Sequence, residues 1–354
     1  MEVKVLVTGI GGGGVGQQII KALRYAKNNY VIYGTDITSI SKGFKTVDYP
    51  FVVPRANDGD YIITIIKICK KHGIKAIFPG SEVEIDMFNI NRGIFQENDV
   101  LVFINSEEVL DVCMDKEKTI SFLERHSFSF PKTFSISCVS DIETVNVFPV
   151  VLKPSQGAGG SMNVLIAQNK NELKLFSIFL LKIYSKFIAQ EYVGTPEKEF
   201  TVGVLFDQEG NYINTIALRR DLSGGLNCRL RIPNTSSKKE LGENLVISSG
   251  ISQGEFGDFR SVIDQCNEIA IKLKPNSAIN LQCRLVNDKV YLFEINPRFS
   301  GTTSLRAMVG FNEPDLLIRK HILNEPIKPN FSFQYAKVVR GLDEVVFYNE
   351  SDDL

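Results

Sequence analysis

Histidine is scarce in this 354-residue chain: His72, His126 and His321 are the only three, far apart in sequence. That scarcity argues against a histidine-built metal centre or a Ser-His-Asp triad. The six cysteines form no C-x-x-C pair, as expected for free thiols in a reducing cytosol. Net charge is −1, so no global basic field recruits nucleic acid or an anionic membrane. No apolar run approaches the length needed to span a bilayer. The chain opens directly on a strand, so no signal peptide is expected and the location reads as cytoplasmic. The phosphate-loop pattern G-x-x-x-x-G-K-[ST] is missing, and there is no internal repeat or low-complexity tract.

What is present is ordinary for a globular protein: 44% hydrophobic and 23% charged residues. The length implies roughly two or three domains. Val3–Thr8 reads as a short apolar strand, followed by a glycine loop, Gly9–Gly16, and a helix from Val15 to about Tyr25. A strand at Tyr30–Tyr33, a helix at Ile62–Lys71 and a strand at Ala76–Phe78 follow. Helices alternating with short apolar strands predict a parallel, doubly wound unit over 1–105. Beyond it, Asn105 or Ser106 can cap a helix that carries Glu107 and Glu108 in its first turn. A helix near Lys116–His126 stops before Pro131, and a mixed run of strands and helices continues to the end. Residues 232–258, rich in Pro, Asn, Ser and Gly, read as loop with one strand at Leu245–Ser248.

The most informative stretch is Asn280–Thr302, NLQCRLVNDKVYLFEINPRFSGT. Ile279, Leu281, Cys283 and Leu285 alternate with Asn280, Gln282 and Arg284. On the return, Tyr291, Phe293 and Ile295 are apolar, while Glu294 and Asn296 are polar. The pattern predicts a β-hairpin with a three-residue turn, Asn287-Asp288-Lys289. That turn sets Gln282 opposite Glu294 and Asn280 opposite Asn296; a two-residue turn would set Leu281 against Glu294. Opposed residues lie about 5 Å apart and i,i+2 neighbours about 6.5–7 Å apart. Oxygen ligands gathered in that space suit Mg²⁺, which completes its shell with water and substrate phosphates.

Other segments could carry chemistry. In VLKPSQGAGGS, Lys153 ends a strand just before Gly157, Gly159 and Gly160. Glycines let backbone N–H groups approach phosphate oxygens and a lysine adds a point charge; the plainer alternative is a hairpin loop. In FIAQEYVGTPEKEFTVG an extended segment lies between two carboxylates, able to pair adenine with its backbone and ribose with the second acid, or simply to expose charge. Arg219 and Arg220 at a strand end could clamp a phosphate, or be surface charge. The amino-terminal loop matches G-x-G-x-x-G at Gly9, Gly11 and Gly14, with Asp36 about where a ribose acid would sit; alone this reads as NAD binding. Glu82 and Glu84, after Gly80-Ser81, could bind an amine or merely start a helix.

Taken together, VLVTGIGGGGVGQ, MDKEKTISFLERHSFSFPKTF, VVLKPSQGAGG, QEYVGTPEKEFTV and LQCRL with EINPRFSG resemble, in order and spacing, the ATP-grasp superfamily. Within it the chain resembles single-module relatives of the carbamoyl-phosphate synthase large subunit. The resemblance implies an α/β and α+β architecture: a doubly wound pre-ATP-grasp domain (1–105), then a two-lobed ATP-grasp domain (106–330) with a small lid lobe at about 128–193. A carboxy-terminal segment (331–354) would pack on the core. It implies phosphate lysines at Lys116 and Lys153, a lid loop at Gly157–Gly160, an adenine hinge at Glu191, Tyr192 and Val193, and a ribose acid at Glu199. Gln282, Glu294 and Asn296 would be the Mg²⁺ ligands, with Mn²⁺ as a substitute. Arg298 would stabilise the transferring phosphoryl group, and Arg219 or Arg220 would add a phosphate contact. The implied activity is ATP-dependent activation of a carboxylate as an acyl phosphate and its coupling to an amine. The implied partners are small-molecule substrates, not nucleic acid or membrane, with a homodimer left open. No second module and no glutaminase segment accompany these motifs, which sets carbamoyl-phosphate synthesis itself behind as the alternative. An NAD-dependent oxidoreductase would leave the 280–302 constellation unexplained.

Overall fold

The computed structural model describes residues 2–155 and 162–345. The chain divides into two compact units. The first is Met1–Ile104 with Thr303–Ile327 and Arg340–Leu354; the second is Asn105–Thr302 with Lys328–Val339. The division falls between Ile104 and Asn105. The stretch 303–327, expected in the second domain, instead joins the first unit, as do residues 340–345.

The first unit holds strands β1 (Val3–Val7), β2 (Tyr30–Asp36), β3 (Tyr49–Val52), β4 (Ala76–Phe78) and β5 (Leu101–Val102). They form one parallel sheet in the order β3-β2-β1-β4-β5. Helices α1 (Val15–Arg24), α2 (Tyr61–His72), α3 (Glu82–Ile90) and α4 (Arg92–Glu97) belong to the same unit. The strand order reverses between β1 and β4, where doubly wound sheets open a crevice at their carboxyl ends.

Glycine is required there by close approach. A Cβ on Gly16 would lie 2.6 Å from the Thr8 carbonyl oxygen, and one on Gly80 only 2.1 Å from the same atom. These residues press α1 and the loop after β4 onto the end of β1. Gly80→Ala is expected to destabilise the protein by about 2 kcal/mol through overpacking against backbone. Urea unfolding measures this; an unchanged midpoint would show that the approach is not close.

Asp36, the residue expected to take a ribose, is held by its own loop. Its carboxylate accepts hydrogen bonds from Ser41 Oγ (2.8 Å) and the Ile37 N–H (2.7 Å). Glu84 is internal too. It accepts from Tyr61 Oη and Ser81 Oγ, each at 2.8 Å, and Ser81 caps α3 in return by accepting from the Glu84 N–H. Ser81 is the N-cap of α3, so the Gly80–Glu84 segment starts a helix. Burial raises the Glu84 pKa.

Two later helices, α9 (Thr303–Met308) and α10 (Glu313–His321), complete this unit against α1. Arg306 and Glu313 form a fully buried ion pair at 2.8 Å, and Tyr30 donates to Asp315 at 2.5 Å. Asn312 Nδ2 donates to the Ala22 carbonyl at 2.6 Å. These long-range polar contacts, absent from any local pattern, attach 303–327 to the first unit.

The second unit begins with α5 (Glu107–Met114) and α6 (Lys116–Arg125), capped by Ser106 and Asp115. A four-stranded sheet follows, ordered β6 (Thr133–Ile136), β9 (Phe187–Glu191), β7 (Val150–Pro154), β8 (Leu165–Ala167), with α7 (Lys170–Leu180) packed against it. The larger sheet has six strands. Its order is β16 (Lys289–Asn296), β15 (Ala278–Val286), β10 (Glu199–Phe206), β11 (Tyr212–Arg220), β14 (Gly254–Phe256) and β17 (Ala336–Val338). A separate hairpin pairs β12 (Cys228–Pro233) with β13 (Asn244–Ser248). The expectation of one strand in 232–258 is corrected: β13 is there, but β14 and the end of β12 are strands as well. The alternating Cys228-Arg229-Leu230-Arg231-Ile232 pattern carried that signal.

The large sheet is two-faced by sequence. Phe200, Val202 and Val204 on β10 and Ile279, Leu281 and Cys283 on β15 pack against the apolar stripe of α8 (Arg260–Leu273), namely Val262, Cys266, Ile269 and Ala270. Period-2 alternation then forces Glu199 and Thr201, with Asn280, Gln282 and Arg284, onto the opposite face. No helix among the described residues is long and apolar enough to cross a membrane.

Candidate functional site

The polar face of the β10–β15–β16 sheet is the candidate site. Its register is the expected one at the critical end: Asn280 faces Asn296, Leu281 faces Ile295 and Gln282 faces Glu294. The turn is not. Val286 pairs with Lys289, so the loop is the two residues Asn287 and Asp288, both at positive φ (48° and 60°), as a type I′ turn requires. The three-residue turn is therefore corrected. A β-bulge between Gln282 and Cys283 reconciles the tight turn with the site register, because Cys283 pairs with Leu292 and Phe293 is the extra residue. Without it, Glu294 would share a face with Val290 and Leu292 and point into the core.

The bulge also supplies an acceptor. Lys153, at the end of β7, donates from Nζ to the Phe293 carbonyl at 3.0 Å. The strand period explains why: Val150 and Leu152 face the core of the small sheet and Lys153 points the other way. Burial pulls the Lys153 pKa down to about 7; Glu294 opposes that shift and Lys116 adds to it. Lys116 itself is the first residue of α6, behind the Asp115 cap, and its N–H donates to the Ser155 carbonyl at 3.2 Å. The two expected phosphate lysines are thus brought together at one end of β7. Gly157, Gly159 and Gly160 lie outside the described residues.

Arg298 leaves β16 after Pro297. Its Nη2 donates to Asn296 Oδ1 and its Nη1 to the Phe299 carbonyl, both at 3.1 Å. Asn105 fixes the backbone here by donating to the carbonyls of Ala278 (2.9 Å) and Pro297 (3.0 Å). Thr201 Oγ1 donates to Asn280 Oδ1 at 2.8 Å. Gln282, Glu294 and Asn296 offer one carboxylate and two amide oxygens on one face. That set fits a hard divalent cation that keeps most of its shell from water and phosphate. Among the described residues no cluster of three or more His, Cys, Asp or Glu could hold a metal ion.

Two expected residues are placed differently. Arg219 lies on the other face of the sheet, opposite Glu255, with which it pairs, and its guanidinium is 5.5 Å from the Phe259 ring. Strand parity is the reason: Phe200, its partner on β10, faces the α8 core. Arg220 is the one on the polar face. Glu199 is buried between two guanidinium groups, Arg284 (Nη2 at 2.9 Å, Nε at 3.1 Å) and Arg220 (Nη1 at 3.3 Å). Glu199 is thus a buried counter-ion to both arginines. Exposed Glu197, two residues earlier, has no such burden.

The segment Glu191-Tyr192-Val193 connects β9 to β10. Glu191 pairs with Lys238 at 2.6 Å. The Glu191 and Tyr192 N–H groups donate to the carbonyls of Lys132 (2.8 Å) and Pro149 (2.9 Å). Tyr192 is buried, its ring packed with Leu245 and Ile247 of β13, and its hydroxyl accepts from the Val246 N–H at 2.8 Å. Arg284 is the residue that motif reading passed over. Its signal was legible as the third polar position in the Asn280, Gln282, Arg284 alternation. Burial works against its charge, but Glu199 and Tyr192 outweigh that and raise its pKa; burial lowers that of Arg220, which Glu199 only partly offsets. Two guanidinium groups thus share the Glu199 carboxylate.

Residues 5–103 match the family described as PylC-like, N-terminal domain, and residues 185–340 match the family described as ATP-grasp in the biosynthetic pathway with Ter operon. The carbamoyl phosphate synthase large chain of Pyrococcus furiosus is 22% identical over 325 residues, 86% of this chain and 29% of that one. The chain therefore spans less than a third of the length of the curated relatives it matches. Among solved structures, the ADP complex of purK, N5-carboxyaminoimidazole ribonucleotide synthetase, has a TM-score of 0.67 at 13% identity, covering 94% of this chain and 80% of that one. The L-amino acid ligase of Bacillus licheniformis has a TM-score of 0.63 at 14% identity, covering 92% and 77%. The chain thus carries a PylC-like amino-terminal domain and an ATP-grasp domain, and it is homologous to the carbamoyl phosphate synthase large chain.

Proposed function

We propose that the protein is an ATP-dependent ligase that activates a carboxylate as an acyl phosphate and couples it to an amine. The observation that carries this reading is the single polar sheet face on which Gln282, Glu294 and Asn296 meet beside Lys153 and Arg298. Lys116 and Lys153 bind nucleotide phosphates, and Glu191, Tyr192 and Val193 form the edge that receives adenine. Exposed Glu197 takes the place expected of Glu199 at the ribose. Arg220 supports the phosphate side from within the sheet face. A Mg²⁺ or Mn²⁺ ion held by Gln282, Glu294 and Asn296 would neutralise phosphate charge.

The chemistry runs in two balanced steps. A substrate carboxylate oxygen attacks the γ-phosphorus of ATP, the bond to the β-phosphate oxygen breaks, and ADP leaves. The amine nitrogen then attacks the acyl carbon, orthophosphate leaves with the bonding pair, and the amine proton passes to solvent or phosphate. Phosphoryl transfer needs chiefly positioning and charge neutralisation, which the lysines and Arg298 provide.

Pooled carboxylates and amines, screened for ADP release with mass spectrometry of the products, test the reading. The expected nucleotide product is ADP with orthophosphate, one per amide formed. Stoichiometric AMP and pyrophosphate would overturn the acyl-phosphate route. Turnover with bicarbonate alone would favour the second reading, bicarbonate phosphorylation, to which the carbamoyl phosphate synthase relatives point. NAD(H) is not expected to bind the Gly9–Gly16 loop, because Asp36 is engaged and the glycines serve close packing. Saturable micromolar NAD(H) binding, lost when Gly11 is enlarged, would overturn that.

A further inference from the structure

Arg284 has more partners than a buried counter-ion needs. Glu199 takes its Nε and Nη2 (3.1 and 2.9 Å). Its remaining donors reach backbone: Nη1 to the Val193 carbonyl at 3.1 Å and Nη2 to the Val246 carbonyl at 3.0 Å. Its guanidinium carbon lies 4.4 Å from the centre of the Tyr192 ring, a cation–π distance. Tyr192 closes the circuit, since its hydroxyl accepts from the Val246 N–H and donates to the Val246 carbonyl. One planar fork therefore ties the connector 191–194 to β13 on one side and to the sheet carrying Gln282 on the other.

We infer that Arg284 is a positioning residue for the nucleotide base: it fixes the Tyr192–Val193 backbone at the distance and orientation from which an adenine edge is recognised. The inference rests on the nucleotide reading above and adds a residue to it. The physical reason is rigidity. The seven residues 192–198 between β9 and β10 have no strand ladder of their own, and their pairing groups can hold a planar base only if something fixes them beforehand. By accepting from Arg284, the Val193 carbonyl is turned toward the sheet, so the peptide plane of Val193 is set from behind. Lysine, a single point donor, cannot satisfy Glu199, Val193 and Val246 together.

Calorimetry of MgADP and of inorganic tripolyphosphate with Mg²⁺, on the full chain, separates the possibilities without knowing the substrates. In Arg284→Met, ADP affinity is expected to fall roughly 10- to 100-fold, the range for lost charged hydrogen bonds, while tripolyphosphate, which has phosphates but no base, binds as it does to the wild type. Arg284→Lys should recover part of the ADP affinity. Equal losses for both ligands would mean a merely structural arginine and overturn the inference, as would unchanged ADP affinity. A wild-type protein that binds neither ligand would instead overturn the nucleotide reading itself. Should Arg284→Met fail to fold, the lysine variant decides: retained tripolyphosphate binding with weakened ADP binding supports the inference, and parallel loss sinks it.

Discussion

Glu294→Ala is expected to lower ATP turnover by about 10³-fold or more while the protein stays folded. Glu294 is the one carboxylate of the three proposed oxygen ligands, so its removal would leave only neutral amides to face a divalent cation. The loss reaches further than the metal. Lys153 is buried with a pKa near 7, and Glu294 is the group that pulls it upward while Lys116 pushes it down. Without Glu294 the Lys153 pKa falls further, and at neutral pH the lysine loses charge that a phosphate needs. The sign is fixed by that arrangement: residual activity of the variant should shift toward lower pH, where Lys153 is protonated. Stability should change little, because Glu294 is half-buried on the polar face while Leu292 and Ile295, its neighbours on β16, hold the core side. ADP release at saturating Mg²⁺, followed alongside thermal melting, checks both parts. Near wild-type turnover would remove Glu294 from the site.

Alternation along 279–296 was enough to bring Gln282, Glu294, Asn280 and Asn296 to one face, because burial of the other face by α8 leaves a strand only two choices. It was not enough to fix the turn. A bulge adds one residue without changing either flanking pattern, so a three-residue turn and a two-residue turn with a bulge predict the same pairs at the site. Glu199 shows the converse limit. Its position beside the hinge was legible, but its partners Arg220 and Arg284 lie 21 and 85 residues away in sequence. Only the order of strands across the sheet brings them together. The same holds for 303–327, whose attachment to the first unit depends on Tyr30–Asp315 and Asn312–Ala22 contacts that span almost 300 residues. Arg219 and Arg220 could not be told apart by type, yet strand parity separates them: one faces the α8 core region and the other faces Glu199.

Arg298→Lys is expected to reduce kcat on the order of 10²-fold while leaving ATP affinity within a few fold. Arginines that neutralise charge on a transferring phosphoryl group are worth on the order of 10³ or more in rate, and lysine retains the charge but not the fork. The geometry places the guanidinium where that fork matters. Pro297 ends β16, Asn105 holds the Pro297 carbonyl, and the arginine turns back so that Nη2 meets Asn296 Oδ1. Asn296 Oδ1 is the oxygen proposed to face a cation, and Arg298 Nη2 donates to that same oxygen at 3.1 Å. A guanidinium beside the proposed metal ligands could donate from Nη2 to a phosphoryl oxygen, with Nη1 on the Phe299 carbonyl at 3.1 Å. The interaction is then made most strongly as charge moves onto the transferring oxygens, which is why kcat rather than ATP affinity should respond. The competing reading is an arginine that only braces the turn after β16. The two differ in what lysine does: bracing predicts unchanged kcat with a lower melting temperature, whereas the transition-state role predicts a lowered kcat with the melting temperature held. Steady-state kinetics over a range of ATP concentrations, paired with thermal unfolding of the same preparation, distinguishes them.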